Sequence, residues 1–437
     1  ISVGGPEYTL EELPLAVRQL QAASPVLRHT ALPPRAEETV LQNPIDTVLQ
    51  LESSARWPDD LVAIQMTKVA FLTKIGDLLK DNGAIASFAV GLENEDSNIL
   101  NRAFLDVVHH PSRVTFRLRI HHDREQTLLE RTLKDKNASP RVKEEAAAAL
   151  AEYKRLFIQA PRLTQAMRSL STRFPALSPT VRLLKHWLRA HLLVPHVREE
   201  AVELLTAHAF LSPDPWDPPA SVMAGFLRTL ALLSKWNWQR DPLVVDFGGE
   251  MFVQDVDNVR TRFRAWRSVD PAMRKVALML ASDIDPDGVT WTQDEMPPKV
   301  VAARISSLAR AAIALIRENP VTQSQKKQHD DDHLRVIEVD PFFKSPLTDY
   351  DFILHLATPS SPSSNNASTS RFKNLDPNFV LGAAAAAGAS SADKNGSELI
   401  RAFLSELQNL FGESILFFHG GAKHANLIAG LWKPQTQ

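Results

Sequence analysis

Residues Arg173 to Leu193 read RFPALSPTVRLLKHWLRAHLL. Ser178 followed by Pro179 supplies a capping hydroxyl and a proline suited to the first helical position, so a helix is expected to start there. Val181, Leu184, Leu188 and Leu192 then line one side, with Leu183, Trp187 and Ala190 adjoining, and most of the circumference is apolar. Only a narrow stripe stays polar: Arg182, Lys185, His186 and Arg189, stacked on one ridge by the 3.6-residue repeat.

Outward from this helix the text is mostly helical from Lys143 to Asn319. Glu199 and Glu200 open a further helix at the end where acids complement the dipole, and another begins at Ser221. Six of the eight tryptophans lie between Trp187 and Trp291, which marks this block as the best packed. The ridge also sits in a longer island: Tyr153 to Arg198 holds nine lysines and arginines and no aspartate or glutamate, in a chain of formal net charge -2. Such an island can hold phosphates through charge-assisted contacts and counterion release. A solvated basic helix face, or a surface that meets an acidic protein, remains the alternative.

Before the helical block, Thr47 to Leu51 reads as a buried strand and Asp59/Asp60 as the start of an amphipathic helix. Leu61, Ile64, Val69, Phe71, Leu72, Ile75 and Leu79 form its apolar side and Gly83 its end. Ile85 to Val90 reads as another strand. In Arg113 to His121, Val114, Phe116, Leu118 and Ile120 alternate with Arg113, Thr115, Arg117, Arg119 and His121, giving one packed and one basic face.

After Asn319 the composition changes. Gln323 to Asp332 is polar, Pro359 to Ser370 rich in Ser, Pro and Asn, and Gly382 to Gly396 of low complexity, which is linker or insertion chemistry. Strand candidates Leu334 to Val339, Asp351 to Leu356, Ile415 to Phe418 and Leu427 to Trp432, with a helix from Ser397 to Phe411, suggest a small α+β domain. The 437 residues, 44% hydrophobic and 23% charged, suit two to four domains. No apolar run is long enough to span a bilayer, and a chain that begins at Ile1 is expected to be a piece of a longer, soluble protein. Absence of cysteine removes disulfides and thiolate metal sites.

Two local strings invite metal readings. Asp283, Asp285, Asp287 and Gly288, with Asp294 at the twelfth position, nearly spell a calcium loop. The bidentate glutamate is missing, however, and Pro297-Pro298 stands where the exiting helix should run, so a surface turn after a buried strand (Val276 to Ala281) is expected. His109/His110 and His121/His122 lack helical ligand spacing and read as polar loop residues.

Several stretches carry a family resemblance: the opening segment above, EEAVELL (Glu199 to Leu205), PWDPPASVMAGFLRTLALLSKWNW (Pro215 to Trp238), PLVVDF (Pro242 to Phe247) and LIAGLWKP (Leu427 to Pro434). SPVLRHT (Ser24 to Thr30), DTVLQLESSARWPDDLVAIQMTKVAFLTKI (Asp46 to Ile75) and DYDFILHL (Asp349 to Leu356) join them. Together they resemble the Nrap family of nucleolar RNA-associated proteins, U3 small nucleolar RNA-associated components of the small-subunit processome, over its C-terminal half. The resemblance implies an α+β multidomain chain with a class I CCA-adding-enzyme-like arrangement. A degenerate nucleotidyltransferase-like domain would occupy residues 1–160 and a helical poly(A)-polymerase/oligoadenylate-synthetase-like domain residues 161–322. A small RRM-like α+β tail domain would occupy 323–437, with flexible insertions at 359–370 and 382–396.

Nucleotidyl transfer on that fold needs a Gly-Ser or Gly-Gly turn and three carboxylates holding two metal ions. Here the turn reads Ser24-Pro25, Asp46 is followed two residues on by Val48, and the next strand offers arginines; Asp106 is a remnant or, more simply, a loop aspartate. The expectation is therefore a pseudo-nucleotidyltransferase with no catalytic residues, metal or cofactor. It would act as a noncatalytic scaffold in 18S rRNA processing and 40S assembly within the nucleolus. Arg182, Lys185 and Arg189 on the ridge, and Arg113, Arg117 and Arg119 on the strand, would contact the backbone of pre-rRNA or U3 snoRNA. A ribosomal-RNA-processing partner protein and other 90S pre-ribosome proteins are the implied protein partners, and no membrane is. A protein-interaction module with little RNA contact, and an active template-independent nucleotidyltransferase, are the alternatives. The tail lacks an aromatic RNP1-type string, and Phe417-Phe418 can pack inward instead, so no RNA stacking is assigned to it and a protein-docking role suits it equally.

Overall fold

The computed structural model describes residues 13–32, 44–81, 83, 85–110, 112, 114–318, 340–356, 396–420 and 427–433. They fall into two compact units, the first within residues 13–186 and 196–318, the second within 187–195 and 340–433.

The first unit begins as a five-stranded mixed sheet. Its strands are β1 (Val17–Ala22), β2 (Ile45–Leu51), β3 (Ile85–Glu93), β4 (Arg102–His109) and β5 (Thr115–His121), in the order β1-β2-β5-β4-β3. β2 and β5 run parallel, and the remaining neighbours are antiparallel. Helix α1 (Leu61–Asp81) connects β2 to β3; the Ala63 amide donates to Asp60 Oδ2 at 2.9 Å to cap its start, and Gly83 takes φ +68° beyond its end. Ala103, Leu105 and Val107 of β4 alternate into the core beneath α1, where Ile64, Leu72 and Ile75 meet them. Burial of each such large side chain is worth about 2 kcal/mol. The seven apolar positions expected on α1 all join this core, and Gln65 and Lys68, which the apolar spacing does not announce, are buried as well.

The helical part follows: α2 (Asp123–Lys134), α3 (Pro140–Tyr153), a π-helical stretch Lys154–Gln159, α4 (Ala160–Arg173) and α5 (Leu177–Ala190). Then come α6 (Glu199–Leu211), α7 (Val222–Lys235), β6 (Leu243–Val245), α8 (Val253–Val269), β7 (Leu280–Ser282) and α9 (Lys299–Glu318). α5 starts at Leu177, two residues earlier than expected, so Ser178 is not its cap. Its hydroxyl donates to the His29 carbonyl at 2.5 Å, and Pro179 is tolerated because first-turn amides have no intrahelical acceptor. Ser221 does cap α7, accepting from the Ala224 amide at 3.2 Å. α6 is buried on nearly every side, from Ala201 through Phe210, and is the central helix of the block. β6 and β7 form a short parallel pair; Val276 to Met279 is buried but outside the strand, which begins at Leu280.

In the second unit β8 (Phe352–His355), β10 (Leu427–Trp432) and β9 (Ile415–His419) form an antiparallel sheet in the order β8-β10-β9, covered by α10 (Gly396–Phe411) through Leu404 and Leu407. A Cβ on Gly430 would lie 2.1 Å from the Phe352 ring, so glycine lets that ring cross β10. Phe417 and Phe418 are both buried and pack inward. Residues 187–195 belong here: Tyr350 Oη donates to the His191 carbonyl at 3.3 Å, and the His419 amide donates to the Leu192 carbonyl at 3.1 Å. The strand candidate Leu334 to Val339, the segments Gln323 to Asp332 and Pro359 to Ser370, and 382–395 of the Ala/Ser/Gly stretch lie outside the described residues.

Candidate functional site

The face of the five-stranded sheet opposite α1 carries the charges. Cross-strand register aligns Asp46 of β2, Arg117 of β5 and Asp106 of β4 in one row, and Glu93 of β3 with Arg102 of β4 in another. Asp106 is thus a strand residue and not a loop aspartate. Arg117 grips it with both arms, Nε to Oδ1 and Nη2 to Oδ2 at 2.7 Å each, and reaches Glu93 at 3.1 Å. Arg119, 6% exposed, makes two bonds to Glu93 at 2.9 and 2.8 Å and stands 3.6 Å from Asp46. The Arg117 guanidinium lies 4.0 Å from the Phe104 ring centroid; that ring has room because β3 carries Gly91, where a Cβ would sit 2.6 Å from it.

Burial alone would raise Glu93, but Arg119, Arg102 and Arg117 hold its carboxyl below the ordinary range. At Asp46 burial wins over Arg119 and Arg117, and its pKa is raised. Three carboxylates therefore converge on one face, as metal-dependent transfer would require, but two guanidiniums already lie among them. The bidentate contacts take the lone pairs a divalent cation would use and add like charge, so the residues present do not fit a two-metal centre.

The ridge expected on α5 is divided. Arg182 is exposed. Lys185 is 5% exposed and its ammonium donates to Glu199 Oε2 at 2.7 Å and Glu203 Oε1 at 3.0 Å, so it faces α6 and offers nothing to phosphate. Arg189 is half-buried. Of the strand arginines, Arg117 and Arg119 are paired as above, and Arg113 lies outside the described residues. The six residues thus do not form a common cationic surface among the described residues.

Lys185 instead completes a buried clasp that sequence reasoning missed. Arg28, fully buried at the end of a short 3-10 turn (Pro25–Arg28), donates to Glu203 Oε2 at 2.7 Å and to Thr164 Oγ1 at 3.1 Å, and Glu200 lies 3.4 Å away. Thr30 Oγ1 donates to Glu203 Oε1 at 2.6 Å. Against the cost of burial, Arg28 and Lys185 hold Glu203 below its usual pKa. A glutamate inside the apolar run EEAVELL was the available signal. A second buried set joins Lys68 to Glu125, with Gln65 Nε2 donating to Glu125 Oε2 at 2.7 Å and Gln65 Oε1 accepting from the Ala103 amide at 3.0 Å.

The calcium-like string is a turn whose acids diverge. Asp283 Oδ1 accepts from the Phe247 amide at 3.2 Å, buried Asp285 accepts from Gln159 Nε2 at 3.2 Å and the Thr290 amide at 3.1 Å, and Asp294 pairs with Arg198 at 3.1 Å. The histidines are dispersed too: His121 bonds Tyr153 Oη at 2.8 Å, His122 caps α2, and His109 bonds Ser112 Oγ at 2.8 Å.

A mixed sheet with a carboxylate-bearing face, followed by a helical block around a central buried helix, is the plan of a nucleotidyltransferase domain joined to a poly(A)-polymerase/oligoadenylate-synthetase-type domain. The Nrap nucleotidyltransferase domain 4 matches residues 8–172, the Nrap PAP/OAS1-like domain 5 residues 174–335, and Nrap domain 6 residues 347–437. The chain belongs to the Nrap family. It is 32% identical over 428 residues to U3 small nucleolar RNA-associated protein 22 of Schizosaccharomyces pombe, covering 98% of this chain and 36% of that protein. It is 28% identical over 468 residues to nucleolar protein 6 of Mus musculus, again covering 98% and 36%. The chain thus spans about a third of the length of these relatives, and the family it joins is one of nucleolar proteins. A solved terminal uridylyl transferase 4 of Trypanosoma brucei with bound UPU shares 12% identity at a TM-score of 0.36 over 69% of this chain and 86% of its own, a likeness too slight to carry more.

Proposed function

We propose that this chain is part of a noncatalytic factor of nucleolar small-subunit ribosome assembly, holding RNA and proteins together. The observation that supports the noncatalytic half is the sheet face: Asp46, Glu93 and Asp106 have Arg117 and Arg119 among them where metal ions would stand. Relatives named for association with U3 small nucleolar RNA support the other half. In this reading the RNA is pre-rRNA or U3 snoRNA gripped through its backbone, and a ribosomal-RNA-processing protein and other 90S pre-ribosome proteins are the protein partners. Incubating the purified chain with magnesium, an RNA primer and each of the four nucleoside triphosphates should give no extension; extension with any one of them would end the noncatalytic reading. Co-purification of U3 or pre-rRNA with the tagged full-length protein tests the scaffold.

A protein-docking role is favoured by one further feature. Phe252 and Val253, 76% and 79% exposed, stand beyond a loop whose Gly249, Glu250 and Met251 amides all donate to Asp246. Two apolar side chains held out at the start of α8 suit a protein pocket better than phosphate.

A further inference from the structure

The cations singled out on α5 and β5 are largely spent on internal partners, so an RNA-contacting surface has to be sought elsewhere. Between the C-terminal end of α7 and the second half of α9 lies an open groove of about 380 Å³ lined by Ser234, Lys235, Arg310, Ile313, Ala314 and Arg317. Among the described residues half of its lining is cationic and none is acidic. On α9 the four residues follow the i, i+3, i+4, i+7 spacing of one helix face, so Arg310 and Arg317 lie about 10 Å apart along it. Ile313 and Ala314 form an aliphatic floor between them.

The electrostatic state of these cations differs from that of Arg117, Arg119 and Lys185. Lys235, Arg310 and Arg317 are exposed, and among the described residues none of the three has an ion-pair partner. Arg310 is steadied along its own helix, Nε donating to the Ser306 carbonyl at 3.2 Å and Nη2 to Ser307 Oγ at 3.3 Å, which leaves Nη1 for a ligand. Three cations at fixed spacing around a shallow apolar floor suit a ligand with repeated negative charges and flat uncharged parts between them. That is the description of a single-stranded nucleic-acid backbone with its sugars and bases.

We propose that the α7–α9 groove binds the sugar-phosphate backbone of single-stranded RNA through Lys235, Arg310 and Arg317, without reading its bases. The proposal rests on the RNA-binding reading of the chain and supplies a location for it. Each neutralised phosphate on a single strand contributes about 0.7 to the slope of log affinity against log salt, so three contacts contribute about 2. The test measures binding of a short fluorescein-labelled single-stranded RNA by anisotropy across about 50 to 200 mM salt, for the chain as it stands and for K235A/R310A/R317A. The triple variant should lose about tenfold in affinity at low salt, with a slope shallower by about 2. R310Q/R317Q, which keeps side-chain bulk over the floor, serves as the second variant and should lose a slope of about 1.4.

If the wild-type chain binds RNA and both variants bind it with the same affinity and slope, the groove is not the site and the RNA-binding reading survives. If the wild-type chain does not bind RNA at all, both the groove and that reading fail. A polyglutamate peptide bound in a groove-dependent way, with no RNA binding, would overturn the proposal in favour of an acidic protein segment.

Discussion

The sheet face around Arg117 and Arg119 and the groove around Arg310 and Arg317 use the same residue type in opposite ways. On the sheet, each guanidinium meets carboxylate oxygens from other strands at 2.7 to 3.1 Å and is half-buried or more. In the groove no acid lines the wall among the described residues, and the cations stand in solvent. Free basic charge is therefore a property of three-dimensional acid supply and not of local composition. The acid-free run from Tyr153 to Arg198 shows the same thing from inside: Arg155 is met by Glu152 just before it, Lys185 by Glu199 and Glu203 just after it, and Arg198 by distant Asp294.

The largest way to break this comparison is at the buried clasp. Glu203→Ala would leave Arg28 and Lys185 as buried cations short of a counter-charge, and loss of one partner from such a set costs about 3–5 kcal/mol. Urea denaturation should show the midpoint falling steeply. A cost below about 1 kcal/mol would mean that water reaches the pair and that Lys185 is more available than its burial implies.

A smaller loss is expected on the sheet. Arg119→Ala removes both bonds to the Oε atoms of Glu93, leaving that carboxylate to Arg117 and Arg102, and should cost about 1–3 kcal/mol in the same assay. Arg119→Lys should recover only part of it, because an ammonium cannot make the two parallel bonds. An unchanged midpoint in Arg119→Ala would show the cation to be dispensable to the fold and return the strand arginines to consideration as ligand contacts.

How much of this could be read in the chain depends on the range of the interactions. Local signals suffice for the alternation in β5, the acids at Asp59/Asp60 and the Ser221 cap, each decided within a few residues. Ser178 has the local look of a cap, but its hydroxyl goes to the His29 carbonyl, a partner 149 positions away in sequence. β4 falls outside the strands the sequence suggests, although Ala103, Leu105 and Val107 alternate inward, and Asp106 within it therefore reads as a remnant or a loop aspartate. The three-carboxylate face and the Arg28–Glu203–Lys185 clasp both depend on strand order and helix packing that no local pattern encodes. Gln65 and Lys68 were hidden similarly, since a polar residue buried on a helix is explained only by Glu125, which arrives from α2.

Acid should weaken the first unit modestly. Burial holds His121, His122 and His208 below the ordinary histidine value of 6.5. Between each depressed folded pKa and the unfolded value the unfolded chain binds more protons, so stability rises with pH there and is lost as pH falls below about 6.5. Denaturation midpoints at about pH 7.5 and 5.5 should differ in that direction, and His208→Gln should shrink the difference by removing one of the three groups. A midpoint that is flat across this range would mean that the histidines protonate freely in the folded state.

The smallest stability effect belongs to the groove, and its smallness is what makes the contrast with the sheet informative. K235A/R310A/R317A removes three cations, more than Arg119→Ala does, yet no carboxylate is left without a partner among the described residues. Exposed substitutions of this kind usually stay within about 0.5 kcal/mol each, so the melting curve should barely move. A large drop in stability would show that these side chains serve as internal counter-ions after all, and the distinction between spent and free cations would fail at the place where it was drawn most sharply.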